Sequence, residues 1–252
     1  RAEYGLEISV DLTQHFVQEA TFNAIRMLVQ LIQKTRQPQV LATYVRAIGA
    51  LGRSTSLWAM IDVENGLYSL VRLLSSAEAC VVAAASMALS DLCGDLFAIE
   101  ARSKIKELGA LPCTISLLSS PDHYVQEAVC MFLANAAQDV KLRPAFGKLD
   151  TVAHLLRLLD CSSCTRVQSA AMLSFVNIVQ TATSAKRFNH LGGTDALYRA
   201  LRSNDEQKMS AAARAIGAIS SRTDSAGSTI FSEIRKSFLT NSCYQYLLNI
   251  LE

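Results

Sequence analysis

Apolar residues along this chain recur at spacings of three and four, a pattern that predicts α-helices from one end to the other. Residues 123–138 show it clearly, since one helical face carries Val125, Ala128, Val129, Phe132, Leu133 and Ala136. The segments are rich in Ala, Leu and Met, which favour helix, and strand signatures are missing. The sequence therefore predicts an all-α protein.

The helical pattern repeats with a period of about 42 residues. One marker is an apolar pair closing a Leu-x-x-Leu-Leu segment, with steps of 42, 44, 41, 42 and 50 between Ile32, Leu74, Leu118, Leu159, Leu201 and Leu251. A second marker, the centre of an Ala-rich segment, has steps of 41, 44, 42 and 41 between Ala50, Asp91, Asn135, Asn177 and Ala218. Two independent markers with one period indicate an internal repeat, and the single long step spans the Ser/Thr/Gly-containing stretch 220–229.

Turn residues divide each repeat into three predicted helices. Asn-Gly at 65–66, Gly109 and Gly-Gly at 192–193 each follow a short helix, where a positive φ costs glycine or asparagine little. Ser-Ser-Pro-Asp at 119–122 and Ser-Asn-Asp at 203–205 precede a longer third helix and can cap it. Such a unit cannot bury its apolar face alone, so the units must stack into a solenoid.

We therefore expect one solenoid domain over residues 1–252. Its approximate units are 20–53, 54–94, 95–138, 139–180, 181–221 and an incomplete 222–252.

The stretch "ELGALPCTISLLSSPDHYVQEAVCMFLANAAQ", residues 107–138, resembles the armadillo repeat, and the likeness covers about residues 20–251. This resemblance implies a right-handed superhelical solenoid of about five to six three-helix repeats, whose third helices line a concave groove. HEAT repeats are the nearest alternative. They use two helices per unit, whereas short extra segments such as 98–109 favour three.

The resemblance also implies an asparagine ladder on the third helices, which holds the backbone of an extended peptide. Asn135 and Asn177 stand at the ladder position, whereas Ala50, Asp91 and Ala218 replace it elsewhere. An asparagine amide suits this role because it offers both donors and an acceptor. The alternative is an amide that is solvated or bonded locally near the end of its helix.

One turn before the ladder, the sequence lacks the tryptophans of importin-type receptors, which argues against that alternative function. Met87, Met131 and Leu173 stand at three of these positions and could form an apolar floor of the groove, since methionine adapts to irregular shapes, or belong to the core between repeats. Arg46 and Arg214 stand at the other two and could pair with acidic residues of a partner or be solvated. The predicted partner-binding residues are Asn135, Asn177, Asp91, Met87, Met131, Leu173, Arg46 and Arg214.

Charge changes along the chain, although the formal total is only +2. Residues 54–109 hold four Lys/Arg against seven Asp/Glu, and residues 186–236 hold nine against five. The small total argues against nucleic acid as the partner, although the basic end keeps a nucleic-acid-binding helical repeat as a second alternative.

Catalytic signatures are absent from the sequence, including the Gly-x-Ser-x-Gly, phosphate-loop, His-Glu-x-x-His and dinucleotide-binding motifs. Cys161-Ser-Ser-Cys164 lacks the further ligands of a zinc site. We therefore predict a non-enzymatic scaffold without cofactor or metal, which binds other proteins through its groove.

Seven cysteines with scattered spacing, and no glycosylation sequon, predict a reducing, cytoplasmic location, where we expect a monomer. In length and architecture the chain resembles the armadillo-repeats-only proteins of apicomplexan parasites. That resemblance implies an acylated N-terminus, anchored to the cytosolic face of a secretory organelle, the rhoptry, where the solenoid recruits a motor. The chain begins at Arg1 without methionine, so we expect any such membrane anchor to precede it.

Overall fold

A computed structural model describes residues 19–94, 98–223 and 229–240, and every regular element within these ranges is an α-helix. In chain order the helices are α1 (19–34), α2 (Pro38–Gly52), α3 (Thr55–Val63), α4 (Gly66–Leu73), α5 (Ala79–Cys93), α6 (Ile99–Glu107), α7 (Ala110–Leu117), α8 (His123–Ala136), α9 (Arg143–Lys148), α10 (Thr151–Cys161), α11 (Thr165–Ile178), α12 (Ala182–His190), α13 (Gly193–Leu201), α14 (Glu206–Ser220) and α15 (Ile230–Thr240). The all-α prediction is confirmed.

The helices follow one another in triplets of two shorter helices and one long helix, namely α3–α5, α6–α8, α9–α11 and α12–α14. The sequence pattern predicts a short, a medium and a long helix in each unit, and only α9–α11 has that order of lengths. The long third helices α2, α5, α8, α11 and α14 lie side by side, each packed against the next. The predicted solenoid of three-helix repeats is therefore confirmed. The apolar pair Ile250-Leu251, which the repeat pattern assigns to the last unit, lies outside the described residues.

In each of these four triplets a left-handed residue forms the corner between the first and second helix, as predicted for three of them. Asn65, Gly109 and Gly192 have φ angles of 60°, 77° and 73°. The fourth corner is Asp150, with φ 50°, which the sequence did not mark because an acidic residue is a weaker turn signal than glycine. Its carboxylate accepts two hydrogen bonds, of 2.8 and 2.7 Å, from the Arg187 guanidinium, which hold the pKa of Asp150 below its usual value.

Two of the long helices begin at an aspartate cap. Asp122 Oδ1 accepts hydrogen bonds from the backbone nitrogens of Tyr124 (2.8 Å) and Val125 (3.1 Å), at the start of α8. Asp205 Oδ1 accepts one from Lys208 N (3.0 Å), at the start of α14. The predicted capping by the Ser-Ser-Pro-Asp and Ser-Asn-Asp segments is confirmed, and both aspartates satisfy amides that have no partner inside the helix.

The units adhere through a continuous apolar core along the seams between them. Its largest members in the middle of the chain are phenylalanines: Phe132, Phe146, Phe175 and Phe188 are fully buried. The rings of Phe175 and Phe188 meet edge to face, with centroids 5.2 Å apart and an interplanar angle of 66°.

Small residues let the first two long helices approach closely. A Cβ atom on Gly49 of α2 would lie 2.6 Å from the Ala88 Cα of α5, closer than such atoms normally come. The missing side chain therefore sets the distance between α2 and α5.

We predict that Gly49→Ala lowers the free energy of unfolding by about 1–3 kcal/mol, because the methyl group must push α5 away. Gly217→Ala is the matched control, since it changes the same residue in α14, where a Cβ would meet nothing within 4 Å. There the gain in helix propensity should stabilise the protein by roughly 0.5–1 kcal/mol. Urea unfolding of both variants checks the prediction, and effects of the same sign would contradict it.

Candidate functional site

The long helices share one partly exposed face, and the predicted site residues lie along it. Met87 of α5 is 41% exposed, whereas Met131 of α8 and Leu173 of α11 are half-buried and pack against the core. Arg46 of α2 and Arg214 of α14 are exposed at its two ends. Of the two alternatives for these apolar residues, an exposed floor fits Met87, whereas Met131 and Leu173 belong partly to the core between repeats.

A depression of about 430 Å³ opens between α2, α5 and α8. Alanines make most of its floor, and we name it the alanine hollow after Ala42, Ala79, Ala83, Ala84 and Ala128. Met87 and Cys80 complete its apolar lining, and its polar lining consists of Arg46, Asp122, Tyr124, Glu127 and Arg166. The hollow exists because these helices present methyl groups where larger side chains would fill the space between them.

The charged residues that line the hollow are not equally paired. Arg166 Nε lies 3.4 Å from Glu127 Oε2, and its guanidinium lies over the Tyr124 ring, 5.1 Å from the centroid. The carboxylate of Asp122 accepts the hydrogen bonds that cap α8. No hydrogen bond or ion pair joins Arg46 to another described residue, so Arg46 is the charged group of this lining whose guanidinium is left without a partner.

Both ladder asparagines bond to the preceding long helix. Asn135 Nδ2 donates to the carbonyl oxygen (3.1 Å) and the hydroxyl (3.0 Å) of Ser90, and its Oδ1 accepts from Gln138 Nε2 at 3.3 Å. Asn177 Nδ2 donates to Ala134 O at 2.9 Å, and no described residue donates to its Oδ1. In this structure Asn135 is therefore satisfied within the solenoid, whereas Asn177 keeps an acceptor and a second N–H for a ligand.

Asp91, the ladder position of α5, is half-buried beside Arg53, whose Nε lies 3.4 Å from Asp91 Oδ1. Burial raises the pKa of Asp91, and the neighbouring charge of Arg53 opposes this shift. The pair neutralises itself, so Asp91 adds no free charge to the face.

No protein-family model and no curated protein matches this sequence. Solved structures do match it. One is an engineered protein from a structural genomics consortium, 25% identical, with a TM-score of 0.77 over 90% of this chain and 89% of that one. Another is a designed armadillo repeat protein in complex with the peptide (KR)4, 20% identical, with a TM-score of 0.74 over 89% of this chain and 90% of that one.

A third comes from computationally designed armadillo repeat proteins for modular peptide recognition, 21% identical, with a TM-score of 0.70 over 89% of this chain and 91% of that one. This chain has the armadillo-repeat fold. The resemblance of residues 107–138 to an armadillo repeat is confirmed at the level of the fold, and the apicomplexan family is not supported by these neighbours.

Three armadillo units share an arginine contact that the sequence did not reveal. Arg102 donates to Cys93 O at 3.1 and 2.6 Å, Arg143 donates to Ala137 O at 3.0 Å, and Arg235 donates to Ser220 O at 3.3 Å. Each arginine belongs to the first helix of a unit and binds a carbonyl at the carboxyl end of the preceding long helix. Such carbonyls lack partners inside the helix and favour a positive charge. The separation of 41 residues between Arg102 and Arg143 matches the repeat period and was the available signal.

The described cysteines offer no assembled metal or redox site. Cys161 and Cys164 are free thiols, and within the described ranges no group of three or more His, Cys, Asp or Glu side chains could hold a metal. Burial raises the pKa of Cys93 to about 12 and raises that of Cys130 as well, so both thiols stay protonated and unreactive. Among the helices described here, none is both long and apolar enough to cross a membrane.

Proposed function

We propose that this armadillo solenoid is a non-enzymatic scaffold that binds an extended or helical segment of another protein along the face of its long helices. The observation that carries the proposal is the continuity of that face. Successive long helices pack directly against each other, so Met87, Met131 and Leu173 follow one another from unit to unit. A segment lying across the helices can contact each of them in turn.

The structural neighbours support a peptide as the kind of ligand. One of the designed armadillo repeat proteins is in complex with the peptide (KR)4, and another set was designed for modular peptide recognition. Both match this chain in fold over 89% of its length.

The groove residues would act in two ways. Met87 contributes exposed apolar surface, and Met131 and Leu173 contribute the parts of their side chains that the seam leaves uncovered. Asn177 can accept a hydrogen bond from a ligand amide at Oδ1 without losing its bond to Ala134. Both bonds that Asn135 Nδ2 donates go to Ser90, and its Oδ1 already accepts from Gln138, so Asn135 can donate to a ligand backbone only by giving up a bond to Ser90 and its contribution is smaller.

We expect a selection of displayed random peptides on this protein to yield binders that depend on the groove. The double variant Met87→Ala/Asn177→Ala should weaken them by roughly tenfold or more, because it removes an exposed anchor and the available amide. Fluorescence anisotropy with the selected peptides measures the effect.

The matched control is Met27→Ala/Asn189→Ala, which changes the same residue types on α1 and α12, away from the long helices. This control should leave the peptide affinity within about twofold of that of the unchanged protein. Equal losses of affinity in both double variants, with unchanged helicity, would reject the groove as the binding site. If no peptide from the selection binds, the proposed function is wrong.

The other sequence-based hypotheses stay predictions. These are a cytoplasmic location, a monomeric state and the tethering of an organelle through a lipid-anchored N-terminus. An importin-type receptor and a nucleic-acid-binding repeat gain no specific observation from the described residues.

A further inference from the structure

The alanine hollow lies under the amino-terminal half of the groove and combines two features that select a ligand. Its floor is apolar and made of small side chains, so a volume of about 430 Å³ stays open to a large side chain from outside. Apolar anchors that fill such depressions supply much of the energy of protein–protein recognition.

The charged residues around the hollow favour a ligand with negative charge. Glu127 is paired with Arg166, and Asp122 accepts hydrogen bonds from the backbone amides of α8, so both carboxylates of the lining already have partners. Arg46 has no partner among the described residues and lines the same hollow as Ala83 and Met87. A carboxylate of the ligand next to the apolar anchor would find the Arg46 guanidinium exposed and without a partner.

A second exposed arginine without a partner lies at the opposite end of the face. Arg214 of α14 is exposed and has no hydrogen-bonding or ionic partner among the described residues. Four helix-to-helix steps of about 8–10 Å separate α2 from α14, which is roughly 32–40 Å in all. An extended chain that rises about 3.3 Å per residue covers that distance with about ten to twelve residues.

We propose that the ligand is an acidic peptide segment, whose large apolar side chain enters the alanine hollow while a neighbouring carboxylate pairs with Arg46. In a longer segment, an acidic residue about ten positions away reaches Arg214. This inference rests on the proposed function and assigns the chemistry of its partner. It also separates this groove from that of the designed protein that binds (KR)4, because a basic peptide would meet Arg46 with like charge.

Four fluorescein-labelled octapeptides test the proposal by anisotropy at low salt. The first has glutamate at seven positions and phenylalanine at the fourth. The second is all glutamate, the third is serine with the same phenylalanine, and the fourth is (KR)4. We expect the first to bind tightest and to lose roughly tenfold when either the phenylalanine or the glutamates are removed, and we expect no binding of (KR)4.

Two variants with matched controls locate the site. Arg46→Glu should weaken the first peptide by roughly tenfold or more, whereas Arg202→Glu, outside the long helices, should change it by less than about twofold. Ala83→Leu fills the hollow and should weaken the same peptide similarly, whereas Ala59→Leu on the exposed side of α3 should not. Circular dichroism of each variant confirms that the helices are retained.

The outcomes separate this inference from the proposed function. If the acidic peptide fails to bind while displayed peptides or (KR)4 bind in the groove, the acidic ligand is wrong and the scaffold function stands. Binding of the acidic peptide that neither Arg46→Glu nor Ala83→Leu weakens would overturn the assignment of the hollow. Equal binding of the all-glutamate peptide would overturn the apolar anchor.

Discussion

Replacing Phe175 by alanine is expected to lower the free energy of unfolding by about 3–5 kcal/mol. Phe175 is fully buried on α11 and meets the ring of Phe188 from α12, in the next unit. The truncation removes an aromatic contact between units and leaves a cavity that helices on both sides hold open. Urea unfolding followed by far-ultraviolet circular dichroism measures the loss.

Because the stability of a solenoid is a sum of unit and interface terms, this loss should also broaden the transition. Phe22→Ala is the matched control, since Phe22 on α1 is only half-buried and lies beside Arg26. We expect it to cost about 1 kcal/mol, in proportion to the smaller area that it buries. A loss of less than 1 kcal/mol for Phe175→Ala would show that the seam between units four and five does not depend on this ring pair.

Arg102→Ala is the second substitution with a large expected effect, about 3 kcal/mol of unfolding free energy. Arg102 is only 2% exposed, and its guanidinium donates twice to Cys93 O and once to Gln138 Oε1. Its loss leaves the carboxyl end of α5 with an unsatisfied carbonyl and removes a charge that the helix end favours. Chemical unfolding of the variant measures the change.

Arg143→Ala makes the matched comparison, because Arg143 caps α8 in the same way but is only half-buried. We expect its cost to be about 1 kcal/mol, since water can replace its hydrogen bonds. Equal costs for the two arginines would contradict the argument that burial makes the Arg102 contact strong.

The arginine contact reaches the predicted ladder through a chain of hydrogen bonds. Arg102 donates to Gln138 Oε1, and Gln138 Nε2 donates to Asn135 Oδ1. Asn135 Nδ2 in turn donates to the carbonyl oxygen of Ser90 on α5. Asn135 is thus a structural link between two units, so its replacement would mix stability with binding. The groove test therefore uses Asn177, whose oxygen is not engaged by a described residue.

Much of the candidate face was visible in the sequence, because its positions recur with the repeat. Met87, Arg46 and Arg214 were predicted on it and are exposed. The alanine hollow was not predicted, because its alanines come from three helices in three units. Alanine in a helix is favourable everywhere, so composition alone does not distinguish a floor from a seam.

The sequence by itself determined the helices, their order in triplets, the aspartate caps and three of the four left-handed corners. Each of these features depends on residues within one or two helical turns, where spacing and side-chain type decide the conformation. Only the tertiary structure decided which atoms meet across units, such as Asn135 with Ser90, 45 residues apart, or Arg102 with Gln138, 36 residues apart. Those contacts depend on how far one long helix is shifted along the next, and close packing of side chains sets that shift once the units are stacked.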